Sequence, residues 1–272
     1  MVKKFKSPHR FWLAAVWLTI QAAAVGVAHA DLIGDLCDAN ADPTLVIESL
    51  VEEAEATGMA PSTLNRLLAV GYRDSESVVD LKLILCTIVI LEEKGLPPEP
   101  LFEKLEEGLG KRVPLKSIQT AIIIQGEKLQ YAQTLLAGGK EPLADDVNVE
   151  RIADLLDIGV SRDELGRLFG PAFSAPTDMR VVAAEILGYG TISGFPQREL
   201  NRVTTTGLKF RSLTPEWSFF IKVIQEARTQ GIPDETTATA AVRTLAEKEP
   251  MEDLITALKL ERKRVYNGTN RN

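Results

Sequence analysis

Glu185 is the acidic residue of this chain whose surroundings could turn it into a proton donor. It lies in the apolar stretch 181–187, and burial raises the pKa of a carboxyl group because the charged form loses its hydration. Glycosidases use such a group, held protonated near neutral pH, to protonate the leaving sugar oxygen. Glu185 therefore raises the hypothesis of a cell-wall (peptidoglycan) hydrolase, or a regulator of one.

The other conspicuous acids occur as adjacent pairs and are expected on solvated helix faces. Residues i and i+1 of a helix point in different directions, so such pairs are not preassembled catalytic dyads. The pairs are Glu52 and Glu53, Glu92 and Glu93, Glu106 and Glu107, and Asp145 and Asp146.

Histidine occurs only near the start of the chain, at His9 and His29. If the first 30 residues are removed, no histidine remains for Ser-His-Asp or Cys-His catalysis. Two separated cysteines cannot form a tetrahedral zinc site, and no phosphate-binding glycine motif is present. The sequence therefore predicts no catalytic, cofactor-binding or metal-binding residue outside the hypothesis on Glu185.

The two cysteines, Cys37 and Cys86, have two possible interpretations. In an oxidising compartment an even pair can form a disulfide. Cys86 also lies inside the apolar run 81–91, where a free thiol would behave as a small buried hydrophobe. Both alternatives stay open at the level of sequence.

Three aromatic residues cluster at Trp217, Phe219 and Phe220, just after Pro215. Their helical spacing is typical of a core stripe between packed helices. The alternative is an aromatic-lined groove for a ligand or peptide.

The first 30 residues have the composition of a secretory signal peptide. Four cations precede an apolar run over 11–27, and Ala28, His29 and Ala30 form an A-x-A site before Asp31. This order predicts cleavage between Ala30 and Asp31 and a periplasmic or secreted protein with no membrane span after cleavage. The alternative is an uncleaved anchor, since 17 apolar residues are at the lower limit for crossing a bilayer.

Cleavage would make the chain strongly acidic. The full sequence carries a formal charge of −7, and loss of four cations leaves 27 basic against 38 acidic residues, or −11. Nucleic-acid binding needs a basic surface, so it is not expected. The charge serves either solubility or the recognition of a cationic partner.

A phrase of Gly, an apolar residue and a helix-starting residue recurs along the chain. Its glycines are 37, 64, 35 and 37 residues apart, a period of about 36 with one interval nearly doubled. Glycine favours the left-handed conformation that ends a helix, and a following Pro or Ser begins the next one. Ser161 with Glu164 fits a capping box. The phrase therefore predicts an all-α protein of stacked antiparallel helical hairpins, resembling an α-solenoid. The glycines are Gly58, Gly95, Gly159, Gly194 and Gly231.

The predicted helices follow from these signals. After a leading helix over 43–57 they cover 61–70, 76–94, 98–109, 114–137, 149–157, 161–169, 177–189, 196–205, 215–230, 233–248 and 250–265. A Gly-, Pro- and Asp-rich segment, 139–148, explains the doubled interval and predicts a linker between an N-terminal lobe (31–138) and a C-terminal lobe (149–266). The alternative is a longer loop within one continuous stack. A polar tail, 267–272, is expected to be disordered.

The stretch 100–114, with Leu105, Glu107, Gly108, Leu109 and Pro114, resembles a phrase found in uncharacterised exported bacterial helical proteins. Gly110 and Arg112 depart from that phrase. The resemblance covers under a tenth of the chain and implies an exported all-helical protein without carrying over any site residue.

These features favour a non-catalytic scaffold that binds an envelope protein or peptide. An extended helical array offers a large surface for docking, with no bond-making step. The hydrolase hypothesis and a purely structural spacer of the envelope are the alternatives.

Overall fold

The structure is a computed structural model that describes residues 43–137 and 146–267. The described residues form thirteen α-helices and one 3₁₀ helix, with no strand, so the predicted all-α fold class is confirmed. The helices are α1 (Pro43–Ala56), α2 (Pro61–Gly71), α3 (Ser75–Glu93), α4 (Glu99–Gly110), α5 (Leu115–Ala137), α6 (Asp146–Asp157), α7 (Arg162–Phe169), α8 (Thr177–Ile192), α9 (Gln197–Phe210), the 3₁₀ helix (Pro215–Phe219), α10 (Phe220–Thr229), α11 (Asp234–Glu247), α12 (Met251–Ala257) and α13 (Arg262–Asn267).

Five predicted elements differ from the observed ones. The helices expected over 177–189 and 196–205 continue to Ile192 and Phe210. The helix expected over 215–230 starts as a 3₁₀ turn before α10 begins at Phe220. The helix expected over 250–265 is two helices, because Lys259 adopts a left-handed conformation with φ of 56°. The helix expected from Val149 begins three residues earlier, at Asp146, inside the segment assigned to the linker.

The five glycines of the repeated phrase end helices as predicted. All five have positive φ, between 69° and 94°. At Gly95 the next amide, that of Leu96, donates to the Leu91 carbonyl at 3.0 Å, which is the long-range bond of a Schellman motif. The side chain of Leu96 is buried against the helix that has just ended. The predicted capping box is also present: Ser161 and Glu164 accept reciprocally from each other's backbone amides.

Four basic residues end helices in the same way, and they were not predicted to do so. Each has a φ between 53° and 58°, and the amide of the next residue donates to the carbonyl five residues before it, as Val113 does to the Gly108 carbonyl. They close α4, α9, α11 and α12, so the turns within several hairpins use Lys or Arg where the turns between hairpins use Gly. The four residues are Arg112, Arg211, Lys248 and Lys259.

Glycine at these basic positions is expected to stabilise the protein. A residue with a Cβ costs about 1 kcal/mol in the left-handed region, a cost that Gly avoids. Arg112→Gly and Lys248→Gly should each raise the free energy of unfolding by about 0.5–1 kcal/mol, and Gly95→Ala should lower it by about 1 kcal/mol. Urea unfolding followed by circular dichroism measures all three. A loss of stability in both glycine variants would show that the caps do not have this geometry.

Helices α1, α3, α5, α6 and α8 pack side by side, each against the next in that order. Ion pairs join neighbours in this row. Lys116 of α5 lies 3.6 Å from Asp80 of α3, and Lys128 of α5 pairs with Asp157 of α6. The helices that alternate with them along the chain are α2, α4, α7, α9 and α11. Among these, α2 contacts α4, and α9 contacts α11.

The helices before residues 138–145 and those after them follow the same order. In both α1–α5 and α6–α10, the first helix ends at a Gly with positive φ. Two pairs of helices follow it, and a second Gly with positive φ lies between the two pairs. Helices α5 and α6 pack against each other, and the described residues fall within one compact unit. The division into lobes at 139–148 remains a prediction; most of that segment and the tail after Asn267 lie outside the described residues.

Candidate functional site

Glu185 sits at the junction of α6, α8 and the 3₁₀ helix. The Nε and an Nη of Arg151 donate to its two carboxylate oxygens at 2.6 and 2.7 Å, and the Ser218 hydroxyl donates to one of them at 2.5 Å. The residue is only 8% exposed. A bidentate guanidinium and a hydroxyl donor therefore surround this carboxylate.

The cluster extends along α6. The other Nη of Arg151 donates to the side-chain oxygen of Asn148 at 3.1 Å, and the Asn148 amide donates to Asp178 on α8 at 3.1 Å. Burial raises the pKa of the Tyr189 hydroxyl, one turn beyond Glu185, and the negative charges of Glu185 and Asp154 raise it further. These contacts fix the position of α6 against α8.

This geometry supports a structural role for Glu185. Both of its oxygens accept hydrogen bonds from Arg151 or Ser218. A general acid must instead be within reach of the substrate atom that it protonates. The sequence signal for burial was correct, but nothing in the sequence identified Arg151, 34 residues away, as the partner.

The aromatic cluster divides between core and rim. Trp217 and Phe220 are completely buried, so they do not line an open groove, which corrects the groove interpretation for these two residues. Their ring centroids are 5.9 Å apart, and Phe195 meets Phe220 edge to face at 6.0 Å. Because these large aromatic side chains are completely buried and contact one another, they are part of the core.

Phe219 is half-buried and packs on the last described helix. Its ring meets that of Tyr266 edge to face at 5.9 Å, and the Tyr266 hydroxyl donates to Glu252 at 2.9 Å. Burial and the nearby Glu252 carboxylate raise the pKa of Tyr266 to about 12. Phe219 thus packs against α13.

Cys86 is buried in α3 and is not a free thiol. Cys37 lies outside the described residues, as do the predicted cleavage residues Ala30 and Asp31. The Cys37–Cys86 disulfide stays a prediction.

Intact-mass measurement of the exported protein tests that disulfide. Alkylation without reductant is expected to leave both cysteines unmodified, because neither sulfur is free, and alkylation after reduction should modify both. Two alkylated cysteines without reductant would contradict the bond. A Cys86→Ala variant, whose remaining Cys37 should then react without reductant, serves as the control.

Exposed apolar side chains are concentrated on the row α1, α3, α5, α6 and α8. Of the six large apolar or aromatic side chains that are exposed among the described residues, five lie on these helices and one, Tyr72, follows α2. Ile192 and Val147 are the most exposed of them, at 60% and 58%. The five are Val79, Ile124, Val147, Tyr189 and Ile192.

The same row carries most of the negative charge. Its five helices contain fifteen acidic and five basic residues, a formal charge of −10, whereas the alternating helices α2, α4, α7, α9 and α11 contain ten acidic and eight basic residues, or −2. We call α1, α3, α5, α6 and α8 the acidic row. Its acids are Glu48, Glu52, Glu53, Glu55, Glu76, Asp80, Glu92, Glu93, Glu127, Asp146, Glu150, Asp154, Asp157, Asp178 and Glu185.

The described residues contain no group of three or more His, Cys, Asp or Glu arranged to hold a metal ion. Within the same part of the chain, no helix has the length and apolar character needed to cross a membrane. The residues 1–42, 138–145 and 268–272 are outside both statements.

The fold defines an all-α protein of packed helices. Comparisons with protein-family models, with curated proteins and with solved structures find no match for the chain.

Proposed function

We propose that this protein is an exported, non-catalytic helical scaffold that binds an envelope protein or peptide through the acidic row. Export rests on the signal-peptide composition of residues 1–30, with cleavage between Ala30 and Asp31. The stacked-hairpin arrangement suits a docking role because it presents several helices side by side on one surface.

The segregation of exposed apolar side chains carries this proposal. Single exposed apolar residues are normal on any protein surface, but they are then scattered over it. Here, of the six large exposed apolar side chains in the described part of the chain, five lie on one row of helices. Exposed apolar side chains set among polar and charged residues are typical of surfaces that bind other proteins.

The buried ion pair of Glu185 and Arg151 supports a binding role for this row over a chemical one. Glu185, the strongest candidate for an acid catalyst, is paired with Arg151 and Ser218. Its hydrogen bonds hold α6 against α8 and so maintain the surface that carries Tyr189 and Ile192.

Site-specific photo-crosslinking in the native host tests the proposal. A photoreactive residue replaces Ile124 or Ile192 on the acidic row in the full-length chain, and Tyr72, exposed elsewhere, is the matched control. Both row positions should yield the same adduct, and the control position should not. Adducts that form equally at Tyr72, or at no position, would contradict the proposal.

N-terminal sequencing of the same exported protein checks localisation. A mature chain that starts at Asp31 is expected. A chain that retains residues 1–30 would show the uncleaved anchor instead.

A further inference from the structure

We propose that the partner of the acidic row is a cationic amphipathic helix, with the surface around α6 and α8 as its principal docking site. This inference rests on the proposed function and names the chemistry of what binds there. It follows because the helices of the acidic row carry both negative charge and exposed apolar side chains.

The surface at α6 and α8 combines apolar anchors with acids. Tyr189 and Ile192 project from the last turns of α8, with 38% and 60% of their surface exposed. Asp154 of α6 is exposed and close enough to Tyr189 to raise the pKa of its hydroxyl. An apolar stripe flanked by basic residues would bury the two anchors and bring its cations to the acids of α6.

The Arg151–Glu185 pair makes this surface rigid. Because Arg151 is bonded to Glu185 in bidentate geometry, its positive charge is already matched within the protein. Asp157, at the end of α6, is likewise paired within the protein, with Lys128 of α5. Helices α6 and α8 are locked together before a partner arrives, which lowers the ordering cost of binding.

Charge disfavours two occupants that the chain itself could supply. The segment 31–42, which precedes the described residues, contains Asp31, Asp35, Asp38 and Asp42 and no basic residue. A second copy that met this row with its own row would bring −10 against −10. Like charges at an interface oppose association, whereas a cationic segment is attracted from a distance.

Peptide binding to the full mature protein tests the proposal. The probe is a labelled 18-residue amphipathic helix of Leu and Lys, compared with a Leu and Glu helix of the same pattern and with a scrambled Leu and Lys peptide without an apolar face. Fluorescence anisotropy should show that the Leu and Lys helix binds at least about tenfold more tightly than either comparison peptide. Equal affinities of the Leu and Lys helix and the Leu and Glu helix would overturn the charge argument.

Variants locate the site. The double variant Tyr189→Ser with Ile192→Ser should weaken binding of the Leu and Lys helix about tenfold, since a few buried apolar anchors provide most of the affinity of such interfaces. Asp154→Asn should weaken it about threefold at low salt, and the difference should shrink in high salt. Tyr72→Ser and Glu247→Gln, exposed changes outside the acidic row, are the matched controls. Equal losses in the controls would overturn the proposal, and circular dichroism confirms that each variant is folded.

Two further measurements separate this inference from the scaffold proposal. A dimer in analytical ultracentrifugation that the double variant dissociates would make a second copy the occupant and overturn the cationic partner. If crosslinking at Ile192 yields a specific adduct but the Leu and Lys helix does not bind, the scaffold proposal stands and this inference fails. Absence of adducts together with binding of the peptide would reject the scaffold proposal alone.

Discussion

Trp217→Ala is expected to lower the free energy of unfolding by about 3–5 kcal/mol, the range for removing a large aromatic side chain from a packed core. Trp217 is completely buried, and its ring lies against Phe220, which packs in turn on Phe195. Truncation removes the apolar burial and leaves a cavity that α8 and α10 cannot close, because both are fixed by other contacts. Urea unfolding followed at 222 nm measures the loss.

Trp217→Phe is the matched control. The indole Nε1 has no hydrogen-bond partner among the described protein atoms, so Phe keeps most of the buried ring and removes an unpartnered donor. A cost under about 1.5 kcal/mol is expected, as for other near-isosteric core changes.

Fluorescence gives an independent check of the same residue. Trp12 and Trp17 belong to the predicted signal peptide, so Trp217 is the one tryptophan of the mature chain. Its emission should resist quenching by acrylamide, because the ring is shielded from solvent. Efficient quenching, or a Trp217→Ala cost below about 1 kcal/mol, would restore the open-groove interpretation.

The helices and their ends could be predicted because their signals are local. Gly95 and Gly194 predict the turns that follow their helices, since glycine reaches the left-handed region without a steric cost. Arg112 and Lys248 adopt the same conformation at a steric cost, so their residue types do not predict a helix end. The residues that follow gave a signal: Arg112 is two residues before Pro114, and Lys248 two before Pro250, the spacing that joins Gly95 to Pro97.

The assembly of the surface could not be predicted, because it depends on which helices become neighbours. The pairing of Arg151 with Glu185 joins residues 34 apart, and no spacing in the sequence identifies one as the other's partner. The separation of charge between alternating helices likewise becomes visible only when α1, α3, α5, α6 and α8 are seen to pack in one row. The net charge of the chain predicts that the surface is negative, but it does not predict which helices carry the negative charge.

Glu185→Leu is expected to lower the free energy of unfolding by about 2–3 kcal/mol. Removing one partner of a buried ion pair leaves the other charge uncompensated, at a cost of about 3–5 kcal/mol in a fully buried site. The Arg151 side chain keeps 31% of its surface exposed, so water recovers part of that cost. Ser218 also loses its acceptor, which adds to the penalty.

A double-mutant cycle separates the pair from the packing around it. Arg151→Leu combined with Glu185→Leu should cost about 1–2 kcal/mol less than the two single changes added together, since neither buried charge is then left alone. The exposed pair Arg243 and Glu247, 4.0 Å apart on α11, is the control; its coupling should stay below about 0.5 kcal/mol.

The same variants decide between the structural and the hydrolytic interpretation of Glu185. Glu185→Gln keeps the size of the side chain and removes its charge, so it should weaken the Arg151 contact and leave purified protein as inactive on peptidoglycan as the wild type. If the wild type solubilises peptidoglycan and Glu185→Gln abolishes this while the protein remains folded, Glu185 is catalytic. The bidentate Arg151 contact would then have to open before the carboxyl group could take up the proton that such a reaction needs.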